Sequence, residues 1–369
     1  MDALLNILHT LGAFFIVISV IVFIHEFGHY FVAKLCGVKI EAFSIGFGRE
    51  IFGRTDKSGT RWKFSLLPLG GYVKMYGDAS EASTADEDAI EQMSEEDKKL
   101  TFHHKPLWKK AAIVAAGPVS NFILTILVFC YFIMTTGLPS AEPVVGSVIP
   151  GSAAAEAGLQ VGDRIQRVNT TGVKRFSDIP YLISTNLGTP ITLSIERGGE
   201  PRQIILTPRE VEDDDGLGNK IKRPLIGIGS AEIKYEDVGL GAALVESVRR
   251  TYVICETTLK ILGQMVTGKR SAEDLKGPVG IAQLSGQAAD KDFYTMLWLI
   301  AMLSANLGLV NLLPVPMLDG GHLAYYAAEA ARGKPLARKV QEYGFRFGFI
   351  VLIALMAFTL FNDLRRLFT

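Results

Sequence analysis

Residues 4–29 of the chain read LLNILHTLGAFFIVISVIVFIHEFGH. The segment from Leu4 to Ile24 contains no Asp, Glu, Lys or Arg, and crossing a bilayer core takes about 20 mainly apolar residues. His25-Glu26-Phe27-Gly28-His29 follows this segment directly. Residues i and i+4 of a helix share one face, so His25 and His29 can present their imidazoles to one metal ion, with Glu26 beside it. The stretch therefore predicts a membrane helix that carries a metal site.

The composition of the whole chain agrees with a membrane protein. The chain has 369 residues, 49% of them hydrophobic, and a mean hydropathy of +0.26, which is more apolar than an ordinary soluble protein of this length. Lys and Arg together number 38, as do Asp and Glu, so the formal net charge is zero. This balance gives no indication of a nucleic-acid partner, and we expect none.

Three further segments are long and apolar enough to span a bilayer. We predict four transmembrane helices in all, at about residues 4–24, 111–135, 293–313 and 345–361. The first lacks a basic leader and a small-residue cleavage site, so we expect it to remain in the mature protein rather than act as a signal peptide.

Basic residues in the loops predict the orientation. The loop between the first two spans is rich in Lys and Arg, whereas the residues before the first span contain neither. We therefore expect this loop on the cytoplasmic side and both chain ends outside. The basic loop between the last two spans agrees, although Arg365 and Arg366 in the tail do not.

The stretch from 137 to 235 is too polar to span a membrane and too long for a plain connection, so it must fold as a domain on the outer side. Short β-rich runs alternate with turn signals, at 144–149, 164–168, 191–196 and 203–208, with a helical stretch near 177–185. Residues 150–159 (PGSAAAEAGL) and 162–165 (GDRI) resemble a PDZ domain of the circularly arranged bacterial type. Such domains bind peptides by β-addition, but a β-rich insert that binds no peptide stays an alternative.

Residues 236–290 are expected to form an amphipathic helix on the membrane surface and a connector. The run from Val238 to Thr267 is long and partly apolar, but its charged residues argue against a fifth span.

A catalytic zinc usually has three protein ligands, so the two histidines need a partner. The best candidate is Asp319, within residues 311–322 (NLLPVPMLDGGH). Two prolines prevent a regular helix, and Gly320-Gly321 permits a tight bend, so Asp319 is expected on a broken helix. A turn carboxylate or a helix cap is the alternative for this residue alone.

These motifs resemble the site-2 protease family of intramembrane zinc metalloproteases, specifically the bacterial regulator of sigma-E protease type with a PDZ insert. His25, Glu26 and His29 match its H-E-x-x-H motif, and Asn311 and Asp319 match its N-x-x-P-x-P-x-L-D-G motif. Residues 117–121 (GPVSN) look like its G-x-x-x-N element, and further likeness extends over nearly the whole chain.

The resemblance implies a polytopic α-helical membrane protein with about four transmembrane helices, a membrane-associated β-hairpin region and an inserted periplasmic PDZ-like α+β domain. Two parts, 1–136 and 291–369, form its catalytic membrane core, and the hairpin region covers 37–76. His25, His29 and Asp319 hold Zn²⁺ in such a protein, Glu26 is the general base for the attacking water, and Asn311 binds substrate. The hairpin edge can pair with an unwound substrate, or can simply pack.

The implied partners are the lipid bilayer, single-span membrane substrates such as anti-sigma factors or signal-peptide remnants, and a peptide ligand of the PDZ domain. The implied location is the bacterial inner membrane, multi-pass, with the active site towards the cytoplasm. Two other functions stay open on the residues alone: a catalytically inactive PDZ scaffold, and an ion or proton carrier. The adjacent pair His103 and His104 is expected at the membrane interface rather than at a metal. His322 follows Asp319 by three residues and is expected either to support a metal ligand through a hydrogen bond, or to cap a helix or lie in solvent.

Overall fold

The computed structural model describes residues 2–79, 86–184, 186, 188–214, 220–232 and 234–368. The chain divides into two compact units. The first comprises residues 1–128 and 271–369, and the second comprises residues 129–270.

The helices and strands follow one another along the chain. The amino-terminal part contains α1 (Asp2–Leu35), β1 (Ile40–Thr55), β2 (Arg61–Met75), α2 (Glu87–Glu91), α3 (Glu95–Lys98) and α4 (Leu107–Thr136). The middle part contains β3 (Leu138–Ser140), β4 (Val145–Val148), α5 (Ala153–Glu156), β5 (Arg164–Val168), β6 (Thr171–Gly172), α6 (Asp178–Ser184), β7 (Ile191–Arg197), β8 (Glu200–Leu206), β9 (Arg209–Asp214), β10 (Lys220–Leu225), β11 (Ile228–Ser230), β12 (Lys234–Glu236) and α7 (Leu240–Val266). The carboxy-terminal part contains a 3₁₀ turn (Ala272–Asp274), α8 (Pro278–Lys291), α9 (Phe293–Asn311), α10 (Asp319–Arg332) and α11 (Arg338–Phe368).

Four described helices, α1, α4, α9 and α11, are long and apolar enough to cross a membrane, which confirms the predicted number. Their ends differ from the predicted ones, because α1 continues to Leu35 and α11 begins at Arg338. Both helices therefore extend beyond the spans predicted to end at about residue 24 and to begin at about residue 345, and the ends of the spans themselves stay a prediction. Hydropathy falls at the polar residues of each end, but backbone hydrogen bonding does not depend on hydropathy and continues through them.

Helix α4 packs against both α1 and α9 in the first unit. A Cβ on Gly28 of α1 would overlap the backbone carbonyl of Ala116, so the two helix backbones lie in close approach. On the other side, Thr125 Oγ1 donates a hydrogen bond to the Ala301 carbonyl at 3.0 Å. Hydroxyl groups that bond to a neighbouring helix are a common means of joining helices where apolar burial gives little driving force.

Strands β1 and β2 form more than the simple hairpin expected for residues 37–76. Phe43 of β1 pairs with both Trp62 and Val73 of β2, so each long strand folds back and contributes two segments. The segments lie in the order 50–55, 61–65, 42–45 and 71–75. Residues 71–75 therefore form one edge of the sheet, and residues 50–55 form the other.

The helix expected near residues 238–267 corresponds to α7, and the connector expected after it contains a second helix, α8. Helix α7 belongs to the second unit, whereas α8 belongs to the first. Helix α8 lies against α1, since a Cβ on Gly286 would come within 2.7 Å of Thr10 Oγ1. The buried Asp363 carboxylate of α11 accepts hydrogen bonds from the Gly277 and Gly280 amides at 3.0 and 2.9 Å, and so caps α8. Neither contact could be inferred from the hydropathy of residues 236–290, because both depend on distant residues.

The second unit is built around a four-stranded sheet of order β6-β5-β7-β8. Its strands alternate, so that Ile191, Leu193 and Ile195 of β7 are fully buried, as expected for a sheet with one face on a core. Helix α6 adds Ile179 and Ile183 to the same core. These elements coincide to within a few residues with the runs predicted from turn signals and alternation.

Within this unit, ion pairs connect α7 to the residues around α6. The buried Glu246 carboxylate lies 2.9 Å from Arg249 and 3.1 Å from Arg175, and Arg249 also reaches Asp178 at 3.1 Å. Burial opposes ionisation of Glu246, but the Arg249 and Arg175 guanidiniums outweigh it and lower the pKa to about 2. Glu246 is therefore ionised at neutral pH, and its ion pairs hold α7 to the residues around α6.

Candidate metal centre

The His-Glu-x-x-His motif lies well inside α1 rather than at its end. Val17, Ile21 and His25 follow one another at intervals of four and are all buried, so one face of α1 turns towards the rest of the first unit. His29 continues this face one turn further. The two imidazole rings lie with centroids 4.8 Å apart and planes at 82°.

Asp319 reaches the same place from the other end of the chain. Helix α9 ends at Asn311, and α10 begins at Asp319, which confirms the predicted break. Met317 in the connection has a φ of 81°, a left-handed conformation that is unfavourable for a non-glycine side chain. A Cβ on Gly320 would overlap the carbonyls of Leu312 and Leu313, so only glycine permits this turn.

Three side chains converge on one point. His25 Nε2 lies 3.2 Å from Asp319 Oδ2, and His29 Nε2 lies 3.6 Å from Asp319 Oδ1. The two Nε2 atoms are 3.2 Å apart, and one ligand atom of each residue lies within 4.8 Å of the others. No other group of three or more such side chains with metal-binding spacing occurs among the described residues.

The surroundings fit a metal ion. Asp319 Oδ2 is buried and accepts no hydrogen bond from the described residues, which is costly unless a cation compensates it. Gly117 of α4 faces both rings, and a Cβ there would overlap His29 Nε2 and come within 2.9 Å of His25 Cε1. Two imidazole nitrogens and one carboxylate are the donors that a catalytic zinc takes, with a fourth position left for water or substrate.

The ring of His29 is oriented by a backbone group. Its Nδ1 lies 2.9 Å from the Ile113 carbonyl oxygen, to which it can donate a hydrogen bond. This bond places the proton on Nδ1 and leaves the Nε2 lone pair for a metal, a common arrangement for histidine ligands.

A cavity of about 820 Å³ opens beside the three side chains. Glu26 lines it, together with residues of the sheet edge 71–75. Gly71 lies close to Glu26, because a Cβ on Gly71 would come within 3.2 Å of Glu26 Cγ. The cavity therefore brings together the metal-ligand candidates, a carboxylate and a strand edge.

Two other predicted residues can now be placed. Asn311 Nδ2 lies 3.5 Å from His25 Nε2, next to the metal-ligand candidates. His322 lines the cavity and packs against Phe345, with ring centroids 5.4 Å apart. His322 is therefore part of the wall of this cavity.

His103 and His104, the predicted interfacial pair, each have a side-chain partner. His103 Nε2 lies 2.9 Å from the buried Asp78 carboxylate, while His104 Nδ1 lies 2.9 Å from Thr101 Oγ1. Adjacent residues of this loop thus have separate partners. His103 also lines the cavity.

Two residues of the 117–121 element, Gly117 and Asn121, have contacts for which the sequence predicts no role. Gly117 provides room for the imidazoles, and Asn121 lies 3.2 Å from His25. The element was visible in the sequence, but its contacts depend on how α4 faces α1, which local spacing does not reveal.

Comparison with known proteins agrees with this site. Residues 13–355 match the model of peptidase family M50. The chain belongs to peptidase family M50. A protein of Agrobacterium fabrum named as a zinc metalloprotease is 44% identical over 96% of this chain and 95% of its own length. Metalloprotease MmpA of Caulobacter vibrioides is 36% identical over 95% of this chain and 94% of its own. The PDZ domain of an SdrC-like protein of Listeria monocytogenes matches 24% of this chain and 84% of its own, with 23% identity and a TM-score of 0.20.

This M50 protein is therefore a zinc metalloprotease of the site-2 type, as the resemblance implied. With its four long apolar helices it is a membrane protein. The predictions of enzyme class and of zinc are confirmed.

Replacing Gly117 with Ala tests the space around the metal-ligand candidates. Alanine favours a helix interior by about 1 kcal/mol over glycine, so α4 itself should form at least as well. We expect the added methyl group to displace His29 and to weaken zinc binding by about tenfold or more. Zinc affinity is measured by competition with a chelating indicator in detergent.

Gly12→Ala is the matched control, since Gly12 lies on α1 and a Cβ there meets no atom within 4 Å. It should bind zinc as the wild type does. Unchanged affinity in Gly117→Ala would contradict the placement of the metal between these helices.

Proposed function

We propose that this M50 protein hydrolyses peptide bonds within the transmembrane segments of single-span membrane proteins. His25, His29 and Asp319 hold the zinc ion, and Glu26 is the catalytic general base. The observation that carries the proposal is the convergence of ligand atoms from α1 and α10 within 4.8 Å of one another, beside a cavity that Glu26 also lines.

Bound Zn²⁺ supplies Lewis acidity to the scissile carbonyl and to water. Glu26 accepts the proton of the attacking water and delivers it to the leaving amine, so that the peptide bond breaks with a carboxylate and an amine as products. Asn311 lies beside His25, where its amide can donate a hydrogen bond to the substrate carbonyl oxygen as negative charge develops there.

The substrate must be unwound before it can react, since a transmembrane helix keeps its carbonyls in internal hydrogen bonds. The sheet edge 71–75 supports a way to do this. Gly71, Tyr72, Val73 and Met75 line the cavity beside Glu26, and an edge strand offers unpaired backbone groups to an extended peptide. Substrate held as an added strand presents its carbonyls to the catalytic groups.

The donor set and the cavity favour catalysis over the two other functions left open by the residues. A scaffold would not require Gly117 to be without a side chain at the imidazoles. A proton or ion carrier needs a chain of polar groups across the membrane, whereas the three ligand candidates cluster at one point.

The proposed location is the bacterial inner membrane, with the metal site towards the cytoplasm. The basic loop between α1 and α4 supports this orientation. It places the PDZ-like domain, residues 137–235, in the periplasm, where a peptide or protein is its proposed ligand. Anti-sigma factors already trimmed outside the membrane and signal-peptide remnants fit as substrates, because both are single spans with little mass on that side.

Glu26→Gln tests the assignment of the general base. The amide cannot accept the proton of water, so we expect cleavage to fall by about 10² to 10⁴-fold, while zinc stays near one ion per chain. Activity is measured as cleavage of a labelled single-span substrate in proteoliposomes. Zinc content is measured by elemental analysis.

The double variant His25→Ala/His29→Ala is the comparison, and it should lose both cleavage and zinc. Cleavage by metal-depleted wild-type protein would contradict the proposal.

Cross-linking tests the strand edge. In the Glu26→Gln background, a photoreactive benzoylphenylalanine replaces either Lys74, on the cavity-side edge, or Arg54, on the opposite edge of the same sheet. We expect the transmembrane segment of the bound substrate to cross-link to position 74 and not to position 54. Equal cross-linking at the two edges would show that the sheet only packs.

A further inference from the structure

Asn121 of α4 lies directly behind one of the proposed zinc ligands. Its side chain is fully buried, and its Nδ2 atom lies 3.2 Å from His25 Nδ1. The opposite nitrogen of that ring, Nε2, faces Asp319 and His29. Asn121 therefore contacts the ring from the side away from the metal-ligand cluster.

The backbone around Asn121 is fixed. Its carbonyl oxygen accepts a hydrogen bond from Thr125 Oγ1 at 3.0 Å, whose single proton is shared with the Ala301 carbonyl, and another from Ser304 Oγ at 3.1 Å. The first bond lies within α4, and the second comes from α9. The side chain of Asn121 is thus carried on a part of α4 that two hydroxyl groups hold in place.

The chemistry of the imidazole limits what Asn121 can do. A histidine that binds a metal through Nε2 is neutral and carries its proton on Nδ1. That N–H needs an acceptor, and an amide nitrogen cannot accept a hydrogen bond. With Nδ2 facing the ring, His25 would have to carry its proton on Nε2, which would block the metal.

Rotating the carboxamide by 180° removes this conflict. The oxygen and nitrogen of an asparagine amide occupy nearly the same volume, so their assignment follows from the hydrogen bonds. Asn121 Oδ1 is buried and has no hydrogen-bond partner among the described residues. Exchanging the two atoms gives this oxygen the His25 Nδ1–H as its donor. His29 already has an equivalent acceptor in the Ile113 carbonyl.

We propose that Asn121 is a positioning residue of the zinc site, whose carboxamide oxygen accepts the Nδ1–H of His25 and directs Nε2 to the metal. The inference rests on the proposed function in that His25 is a ligand. Both histidine ligands then have an oxygen partner at Nδ1, one from a side chain and one from the backbone, and α4 supplies both. Such partners typically contribute about 10 to 100-fold to metal affinity.

Two substitutions separate this role from packing. Asn121→Leu keeps a similar volume but has no acceptor, and we expect the zinc dissociation constant to rise by about 10 to 100-fold. Asn121→Asp keeps an oxygen at the same place, and we expect affinity close to that of the wild type. Zinc affinity is measured on the full chain in detergent by competition with a chelating indicator, and the visible absorption spectrum of the Co²⁺-loaded protein reports ligand geometry.

Ser285→Ala is the matched control, because it also removes a fully buried polar group, one whose hydroxyl donates its hydrogen bond to the Ile281 carbonyl within α8. It leaves the His25 ring untouched and should bind zinc as the wild type does. Thermal unfolding of the metal-free proteins checks folding, and Asn121→Ala replaces the leucine variant if that variant does not fold.

The results distinguish this inference from the proposed function. Wild-type affinity in Asn121→Leu, or a loss in Asn121→Asp as large as that in the leucine variant, would overturn the positioning role alone. Wild-type protein that binds no zinc would overturn the metal site itself. Weakened binding and an altered Co²⁺ spectrum in the leucine variant, with both restored in the aspartate variant, would establish the role.

Discussion

The cost of placing two imidazoles and a carboxylate inside the membrane-spanning unit governs the structure around them. Polar groups that are buried without partners are expensive, because burial removes their hydrogen bonds to water. His25, His29 and Asp319 meet this constraint by converging, with their nearest atoms 3.2 to 3.6 Å apart. A cation shared among the three satisfies all of them at once.

Several local features follow from that convergence. Helix α4 must lack a side chain at Gly117, because a Cβ there would overlap the imidazoles. The chain must leave helical geometry between α9 and α10, so that Asp319 begins a new helix facing α1. Irregular backbone inside a membrane protein is tolerated only where protein or a cavity surrounds it, and the cavity of about 820 Å³ lies at this point. Glycine and proline therefore occur in the sequence where the site needs room or a break.

The convergence of the metal-ligand candidates could be predicted because their sequence pattern carries its own geometry. The i, i+4 spacing of His25 and His29 holds in any helix, and the prolines before Asp319 interrupt any helix. The strands of the second unit were likewise visible from alternation and turns. Features that depend on distant residues were not: the order of the four β-segments and the packing of α8 on α1. The role of Asn121 could not be predicted either, because its contact with His25 arises only from the way α4 packs against α1.

X-ray absorption at the zinc edge tests the central claim most directly, because it reports the atoms bound to the metal in the intact protein. For wild-type protein with one zinc per chain, this account predicts two imidazole nitrogens and light-atom oxygen neighbours, all at about 2.0 to 2.2 Å, in a four-coordinate shell. Sulfur scattering at about 2.3 Å, or a shell without imidazole that is unchanged in His25→Ala/His29→Ala, would contradict it.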